Sequence, residues 1–349
     1  MLTSILNATS AKLFLTCDNI QLSQLKNESD LLKNQHHISA INCTKLPPPV
    51  QSIALSEEVN QFLHAALSNN TRRSYQSDLV HFIAWGGVIP ATNNMLSEYL
   101  AAHANSLSTA TLARRLVSIS RAHTSQALES PTKSDLVKAT FRGIRRIVGS
   151  VQRQVSPVLK SNLLEMVAEL RGKKGTRDRA LLLIGFAGAL RRSELVGIQY
   201  TDIEFVEHGL LIHLRRSKVD QEGKGRKIAI PHARGAVCAV QALKEWLAIS
   251  NITEGALFRP ITRHGHIDKA VLSTQAVAVI VKERASAIDL DASKFSGHSL
   301  RAGLVTSAAQ AGVSSWKIRQ QTGHKSDAML YRYIRDSQIF IDNAAGALL

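Results

Sequence analysis

The chain has 349 residues, a formal net charge of +16 and a sequence pI near 10.0, so a polyanion such as nucleic acid is its natural partner. The longest apolar run, residues 180–190, is far shorter than the ~20 residues that span a bilayer, and it predicts a buried core helix instead. Cys17, Cys43 and Cys238 are too widely spaced for a disulfide framework or a zinc site. We therefore expect a cytoplasmic, nucleoid-associated protein with no membrane partner.

Composition divides the chain into three parts. Residues 1–50 are polar and end in the proline-rich stretch "KLPPPV", which predicts a flexible N-terminal extension. Residues 51–150 show helical apolar spacing, beginning with the serine cap and the acidic residues of "SEEVNQFLHAAL". Residues 151–349 are predicted as a second, mostly helical domain with one hairpin, because "GLLIHLRRSKVDQEGKGRKIAIP" alternates and then turns at "DQEGKG".

Arginines recur along the predicted helices of residues 51–150. Each one alone is as well explained by a solvated helix face, but together they predict a basic surface that follows a phosphate backbone. The DNA-binding candidates are Arg72, Arg73, Arg114, Arg115, Arg121, Arg142, Arg145 and Arg146. Those on the last two helices are expected to point away from the apolar faces.

The chain lacks the motifs of the common metal and nucleotide chemistries. There is no Gly-rich phosphate loop, no dinucleotide fingerprint, no HExxH and no carboxylate cluster for two metals, so we expect neither a metal nor a cofactor. What remains are cationic and imidazole groups at the ends of predicted helices, followed by two tyrosines in "MLYRYIRD". Guanidinium groups can bind phosphodiester oxygens in place of magnesium, and a tyrosine hydroxyl can attack phosphorus. These residues indicate phosphoryl transfer on DNA through a covalent phosphotyrosine.

Five short motifs occur in an order that is typical of one family. "ALRRSEL", "RRSK" in the hairpin, "GHSLRAG", "TGHKS" and "YRYIRD" follow one another as in the tyrosine site-specific recombinases, also called the phage integrase family. Over roughly residues 55–340 the chain resembles this family. The resemblance implies a mainly α fold, a two-domain C-shaped clamp with a helical, SAM-like core-binding domain and a mostly helical catalytic domain that holds a small β-sheet or hairpin.

The resemblance also implies an activity and its partners. The expected enzyme is a recombinase or integrase that cleaves and rejoins double-stranded DNA through a 3′-phosphotyrosine, exchanging strands via a Holliday junction. Its site on DNA would be a short inverted repeat, and it would act as a homo-oligomer, a tetramer on two DNA sites. Arg191 and Arg301 would grip the scissile phosphate. Glu194, three residues after Arg191 and so able to share a helix face with it, would steady that arginine.

Four further catalytic roles are implied by the same resemblance. Lys218 would protonate the leaving 5′ oxygen, and His298 would take or share the proton of the tyrosine. His324 would hydrogen-bond the phosphate. Tyr333 would be the nucleophile, because the family interval from His324 selects Tyr333 and excludes Tyr331.

A second argument for the same tyrosine comes from helical spacing. Tyr331 and Tyr333 would lie about 200° apart around a helix axis, so one cleft cannot use both. Met329 and Leu330 lie four and three residues before Tyr333, which places Tyr333 on the face turned toward the protein. Tyr331 is then a structural or surface aromatic residue.

Two alternatives remain open at this point. The stretch "VTSAAQAGVSSWKIRQQTGH" also has the spacing of a helix-turn-helix, which would fit a DNA-binding regulator without catalysis. A type IB topoisomerase would share the chemistry but would relax DNA at any site. The regulator leaves Arg191, Lys218 and Tyr333 unexplained.

Overall fold

The computed structural model describes residues 56–149, 155–215, 225–233, 235, 237–324, 326 and 330 of the chain. The predicted N-terminal extension lies outside these ranges, as do residues 220–224 of the predicted hairpin turn. The chain divides between Gln152 and Arg153 into two compact units. Within the described ranges, no helix is both long and apolar enough to cross a membrane.

The described part of the first unit is helical. Its α-helices are α1 Glu57–Ala65, α2 Asn69–Ala84, α3 Asn93–Ala102, α4 Thr109–Thr124 and α5 Asp135–Ile147, with a short 3-10 helix Pro131–Lys133 before α5. A serine or threonine precedes each α-helix, and its side chain accepts a hydrogen bond from a backbone N–H of the first turn. These caps satisfy donors that the helix itself leaves unpaired. The predicted cap at Ser56 is confirmed.

One apolar core holds these helices together. α2 packs against α4, and α3 packs against α5. Phe82, Tyr99 and Leu112 are completely buried, and the rings of Phe82 and Tyr99 meet edge to face with centroids 5.0 Å apart. Large aromatic side chains at this centre remove much apolar surface from water, which fixes the packing of the four helices.

The second unit surrounds a larger core. Its helices are α6 Lys160–Ala168, α7 Gly172–Ala187, α8 Arg192–Gly197, α9 Ala239–Ser250, α10 Thr274–Ser286, α11 Ser299–Gln310 and α12 Ser315–Thr322, with 3-10 helices Tyr200–Asp202 and Ala292–Lys294. α7 lies at the centre, packed against α9 and α11. Its residues 180–185 are buried, so the predicted core helix is confirmed.

A three-stranded antiparallel sheet interrupts the helices of the second unit. Its strands are β1 Ile203–Val206, β2 Gly209–Leu214 and β3 Arg226–Pro231, in the order β1-β2-β3. The predicted hairpin is confirmed as the antiparallel pair β2 and β3, in which Leu214 lies opposite Arg226. β1 was not predicted, because four residues with a mixed burial pattern carry little periodic signal.

The ends of several helices meet in the second unit. Gly188 caps the end of α7, and Ala189 adopts a positive φ of +47° that turns the chain toward the start of α8. α11 packs on α7 and α12 packs on α11. Hydrogen bonds from Arg301 at the start of α11 and from Gln321 at the end of α12 to the backbone of residues 187 and 189 bring these ends together with the end of α7 and the start of α8.

Candidate catalytic site

Arg191 and Glu194 form the first pair of the site. Arg191 caps α8, and its backbone N–H donates to Glu194 Oε2 at 2.9 Å. The Arg191 guanidinium also donates through Nη1 to Glu194 Oε1 at 2.5 Å. Glu194 is buried, so its two oxygens hold both the backbone and the side chain of Arg191 in one geometry.

Arg301 joins this pair from a different helix. It lies in the first turn of α11, is only 5% exposed and donates through Nη1 to the carbonyl oxygen of Ala189 at 2.6 Å. Ala189 lies two residues before Arg191, and its positive φ turns the chain at this point. The structure therefore brings together the two arginines that the sequence predicted to grip a phosphate.

Arg226 is a third arginine of the cluster, and the sequence analysis missed it. Its Nη2 lies 3.5 Å from Glu194 Oε2, and its Nη1 donates to the carbonyl oxygen of Gln321 at 3.1 Å. Burial lowers the pKa of Arg226 below its ordinary value. The charge of Arg191 acts in the same direction, and the charge of Glu194 opposes it. In the sequence "GKGRK" resembles any basic turn, so no local signal indicates a partly buried arginine in the site.

His324 completes the described cluster. Gly323 ends α12 in the left-handed conformation, and the His324 Nδ1 shares a hydrogen bond with Thr322 Oγ1 at 2.8 Å. Burial, together with the charges of Arg301, Arg191 and Arg226, lowers the pKa of His324 from 6.5 to about 4. His324 is therefore neutral at physiological pH, and the surrounding positive charge comes from the arginines.

Gln321 fixes the end of α12 to the rest of the site. Its Nε2 donates to the carbonyl oxygens of Ala187 at 2.9 Å and Ala229 at 3.2 Å. These contacts tie α12 to the end of α7 and to β3. The position of His324 is consequently set by hydrogen bonds to two other elements.

The remaining predicted catalytic residues differ in what the structure describes. His298 is exposed and precedes α11, with its backbone N–H donating to Ser296 Oγ at 3.1 Å. Gly297, the residue before it, has no room for a side chain in this arrangement, because a Cβ there would lie 2.1 Å from Arg192 Cδ. Lys218 and Tyr333 lie outside the described residues.

The DNA-binding candidates of the first unit differ in how exposed their side chains are, and seven of the eight are at least partly exposed. Exposed residues are Arg73, Arg121, Arg142, Arg145 and Arg146. Arg72 is partly exposed and donates to Asn69 Oδ1, and Arg114 is half exposed and donates to buried Asp78.

The expectation of an exposed side chain is wrong for Arg115. It is 8% exposed and donates to Tyr99 Oη at 2.8 Å and to His81 Nδ1 at 2.7 Å. Arg115 Nε also lies 3.6 Å from Asp78 Oδ1. The buried Tyr99 hydroxyl and the buried Asp78 carboxylate both need a polar partner, and satisfying them outweighs the loss of water around the Arg115 guanidinium. Arg115 is part of the core of the first unit.

The fold and the site together define a class of protein. The chain is basic and mainly helical, and its second unit gathers guanidinium groups, held by hydrogen bonds, around a neutral histidine. Such an arrangement binds a phosphate and stabilises charge that develops on its oxygens.

Comparison with known proteins gives the family. The sequence model of the phage integrase family matches residues 158–338. An integrase/recombinase XerD homologue of Selenomonas ruminantium is 41% identical over 302 residues, covering 83% of this chain and 88% of the relative. The recombinase Cre of Escherichia phage P1 is 24% identical, covering 86% of this chain and 95% of Cre. The chain belongs to the phage integrase family of tyrosine recombinases.

The known structures agree on the fold. The site-specific recombinase XerH, solved in a post-cleavage complex with a palindromic difH substrate, matches with a TM-score of 0.61 at 18% identity, covering 83% of each chain. The predicted fold class, a mainly helical recombinase fold with a small sheet, is confirmed. The predicted enzyme class is confirmed as well, because cleavage and rejoining of DNA is the activity of the family, and these relatives give no support to the helix-turn-helix regulator.

Proposed function

We propose that this recombinase uses Tyr333 as its nucleophile and the described cluster as its phosphate clamp. The observation that carries the proposal is the grouping of Arg191 and Arg301, two arginines from separate helices, around the neutral imidazole of His324. A phosphodiester develops a second negative charge as it is attacked. Guanidinium groups already held in place stabilise that charge without reorganisation.

Residues of this chain accept and supply the protons that move in the cleavage step. Tyr333 Oη attacks the scissile phosphorus while the bond from phosphorus to the 5′ oxygen breaks. His298 takes or shares the phenol proton, and Lys218 gives a proton to the leaving 5′ oxygen. Arg191, supported by Glu194, and Arg301 bind the non-bridging oxygens, and His324 donates a hydrogen bond to one of them.

Rejoining reverses these steps with a different strand. The 5′-hydroxyl of the second duplex attacks the phosphotyrosine, and Tyr333 leaves with its proton restored. The phosphotyrosine conserves the energy of the broken bond, so neither ATP nor a metal is required for ligation. Strand exchange in two such rounds passes through a Holliday junction.

The stoichiometry of this chemistry implies an assembly. Two duplexes that are each cut on both strands present four scissile phosphates, and each protomer supplies one Tyr333. We therefore propose a tetramer on two sites, with the two protomers on each site related by two-fold symmetry and bound to inverted copies of one sequence. The first unit would bind the DNA beside the cut, and the enzyme would work in the cytoplasm, where its DNA is.

Trapping of the covalent intermediate tests the proposal. The substrate is the protein's own recombination site, found by searching the DNA next to the gene for a short inverted repeat. A duplex of that site, nicked next to the cleavage point, loses a short fragment after attack and cannot be religated. Wild-type protein should give a protein–DNA adduct on this duplex. Tyr331→Phe should retain the adduct and Tyr333→Phe should lose it; loss in both or in neither would contradict the assignment of the nucleophile.

The same assay separates the enzyme from its rivals. A regulator would bind the inverted repeat but give no adduct. A type IB topoisomerase would relax a supercoiled plasmid that lacks the repeat, whereas the proposed recombinase should act only on plasmids that contain it. Relaxation of both plasmids at equal rates would favour the topoisomerase.

A further inference from the structure

A buried carboxylate distinguishes Arg114 from the exposed arginines of the first unit. Arg114 lies on α4 and donates through Nε to Asp78 Oδ2 at 2.9 Å and through Nη2 to Asp78 Oδ1 at 2.8 Å. The side chain of Asp78 is 1% exposed, whereas that of Arg114 is 47% exposed. One side of the guanidinium is thus fixed in the protein while the rest of the side chain faces solvent.

Asp78 is itself held in place. Ser118 Oγ donates to Asp78 Oδ2 at 2.9 Å, and Arg115 Nε lies 3.6 Å from Asp78 Oδ1. Burial alone would raise the pKa of Asp78, but the hydrogen bonds from Arg114 and Ser118 and the charge of Arg115 lower it below its ordinary value. Asp78 is therefore an ionised acceptor in a fixed position, and the plane of the Arg114 guanidinium is fixed with it.

The remaining donors of Arg114 have a defined direction. A guanidinium has five N–H groups, and the two bonds to Asp78 use the Nε–H and one Nη2–H. For the other three, the described residues provide no hydrogen-bond acceptor. The end of the fork thus presents one N–H from each Nη in parallel, which matches the N7 and O6 acceptors of guanine in the major groove.

The ion pair favours a base over a phosphate as the partner. Asp78 neutralises much of the Arg114 charge, so a phosphate at Arg114 would gain less than at an arginine without a carboxylate. Arg73 on α2 and Arg121 on α4 are exposed, and Arg121 lies seven residues after Arg114 on the same face of α4. The Arg121 guanidinium lies 5.7 Å from the ring centre of Tyr75. On the exposed face of α4, the Arg121 cation is suited to a phosphate, and the fixed fork of Arg114 is suited to a base.

We propose that Arg114 is a specificity-determining residue that donates two parallel hydrogen bonds to a guanine in the major groove, with Asp78 as its positioning residue. The proposal rests on the proposed function, because it requires the first unit to bind the recombination site. It adds a chemical identity to one base pair of that site.

Selection of binding sites from a library of randomised duplexes tests the proposal. Wild-type protein should select one G·C pair that Arg114→Lys, which keeps the charge but loses the fork, no longer selects; the preference at that position should fall roughly tenfold or more. The salt dependence of binding should be unchanged in Arg114→Lys. Arg121→Ala is the matched control from the same helix face, and it should keep every base preference while the slope of log K against log salt falls by about 0.9.

Asp78→Asn provides a second variant in which Arg114 is retained but is held less firmly. It should weaken the preference for the same G·C pair without changing the other positions, and thermal melts of all variants establish that the first unit is folded. Unchanged selection in Arg114→Lys would overturn the proposal. The proposal would also be overturned, in favour of a phosphate contact, if Arg114→Ala kept all base preferences while the slope of log K against log salt fell by about 0.9.

The two proposals can fail separately. If Arg114→Lys keeps the wild-type base preferences but wild-type protein still forms the Tyr333 adduct, only the role of Arg114 is wrong. If wild-type protein selects no sequence and forms no adduct, the proposed function and the role of Arg114 both fall.

Discussion

Replacing Gly323 by alanine tests how firmly Arg226 is held beside His324. Gly323 has a φ of +67°, where alanine costs about 1 kcal/mol. A Cβ there would lie 2.5 Å from Arg226 Nη1, so the guanidinium must move away from Glu194 and from the Gln321 carbonyl. Losing charged hydrogen bonding costs roughly 1.5–3 kcal/mol. We expect a total loss of about 2.5–4 kcal/mol, which is roughly 5–15 °C in Tm for a unit of this size.

Gly312→Ala is the matched control for this substitution. Gly312 has a φ of +75°, but no heavy atom lies within 4 Å of the position of its Cβ. Its substitution should therefore cost only the backbone penalty of about 1 kcal/mol. The double variant Gly323→Ala with Arg226→Ala should lose less stability than the sum of the two single variants, because removing the Arg226 side chain also removes the overlap.

Urea unfolding and adduct formation on the nicked duplex measure the two consequences. Displacement of Arg226 should disturb both Glu194 and the backbone before His324, so the rate of adduct formation should fall about tenfold or more in Gly323→Ala and much less in Gly312→Ala. Equal losses of stability in the two glycine variants, together with additive effects of Gly323→Ala and Arg226→Ala, would refute the reasoning.

Lowering the pH from about 6.5 to about 4 should remove stability through His324, because folding lowers its pKa from 6.5 to about 4 and the unfolded chain takes up the proton first. This pKa difference corresponds to ~3 kcal/mol in the free energy of unfolding, which partial exposure reduces to about 1–2 kcal/mol. Urea unfolding of wild type and His324→Gln at each pH measures it, and an equal loss of stability in both proteins between pH 6.5 and pH 4 would contradict the prediction. Gly303→Ala should cost about 3 kcal/mol or more, since a Cβ would lie 1.8 Å from the Val158 carbonyl oxygen. Gly143→Ala, in a helix with open space around the Cβ, should instead raise Tm by adding roughly 0.5–1 kcal/mol, and a similar loss in both variants would contradict this account.

Local chemistry explains why much of the second unit could be predicted from sequence. The hairpin of β2 and β3 and the contact between Arg191 and Glu194 both depend on residues close together in the sequence. The contact is made differently from the prediction, because Arg191 caps α8 and does not share a helix face with Glu194. The three-residue spacing was sufficient, since a cap and the third residue of a helix also lie side by side.

Long-range contacts explain what the sequence analysis missed. Arg226 on β3 contacts Glu194 on α8, and it also contacts Gln321 at the end of α12, which lies 95 residues further along the chain. No local pattern encodes either contact. Arg115 was placed on an exposed face because arginine is rarely buried. Its burial depends on Tyr99 and Asp78, which come from two other helices.

Among the described residues, positive charge exceeds negative charge in the arginine cluster of the second unit. Arg191, Arg226 and Arg301 bring three positive charges near His324, and Glu194 supplies one negative charge that contacts two of them. Repulsion among the guanidinium groups opposes folding, and their charges add to the effect of burial in lowering the pKa of His324. Such conflicts between local stability and charge are expected where a protein has a task to perform. A phosphodiester with two developing charges would balance this excess, so the repulsion in the free protein becomes stabilisation of the reacting phosphate.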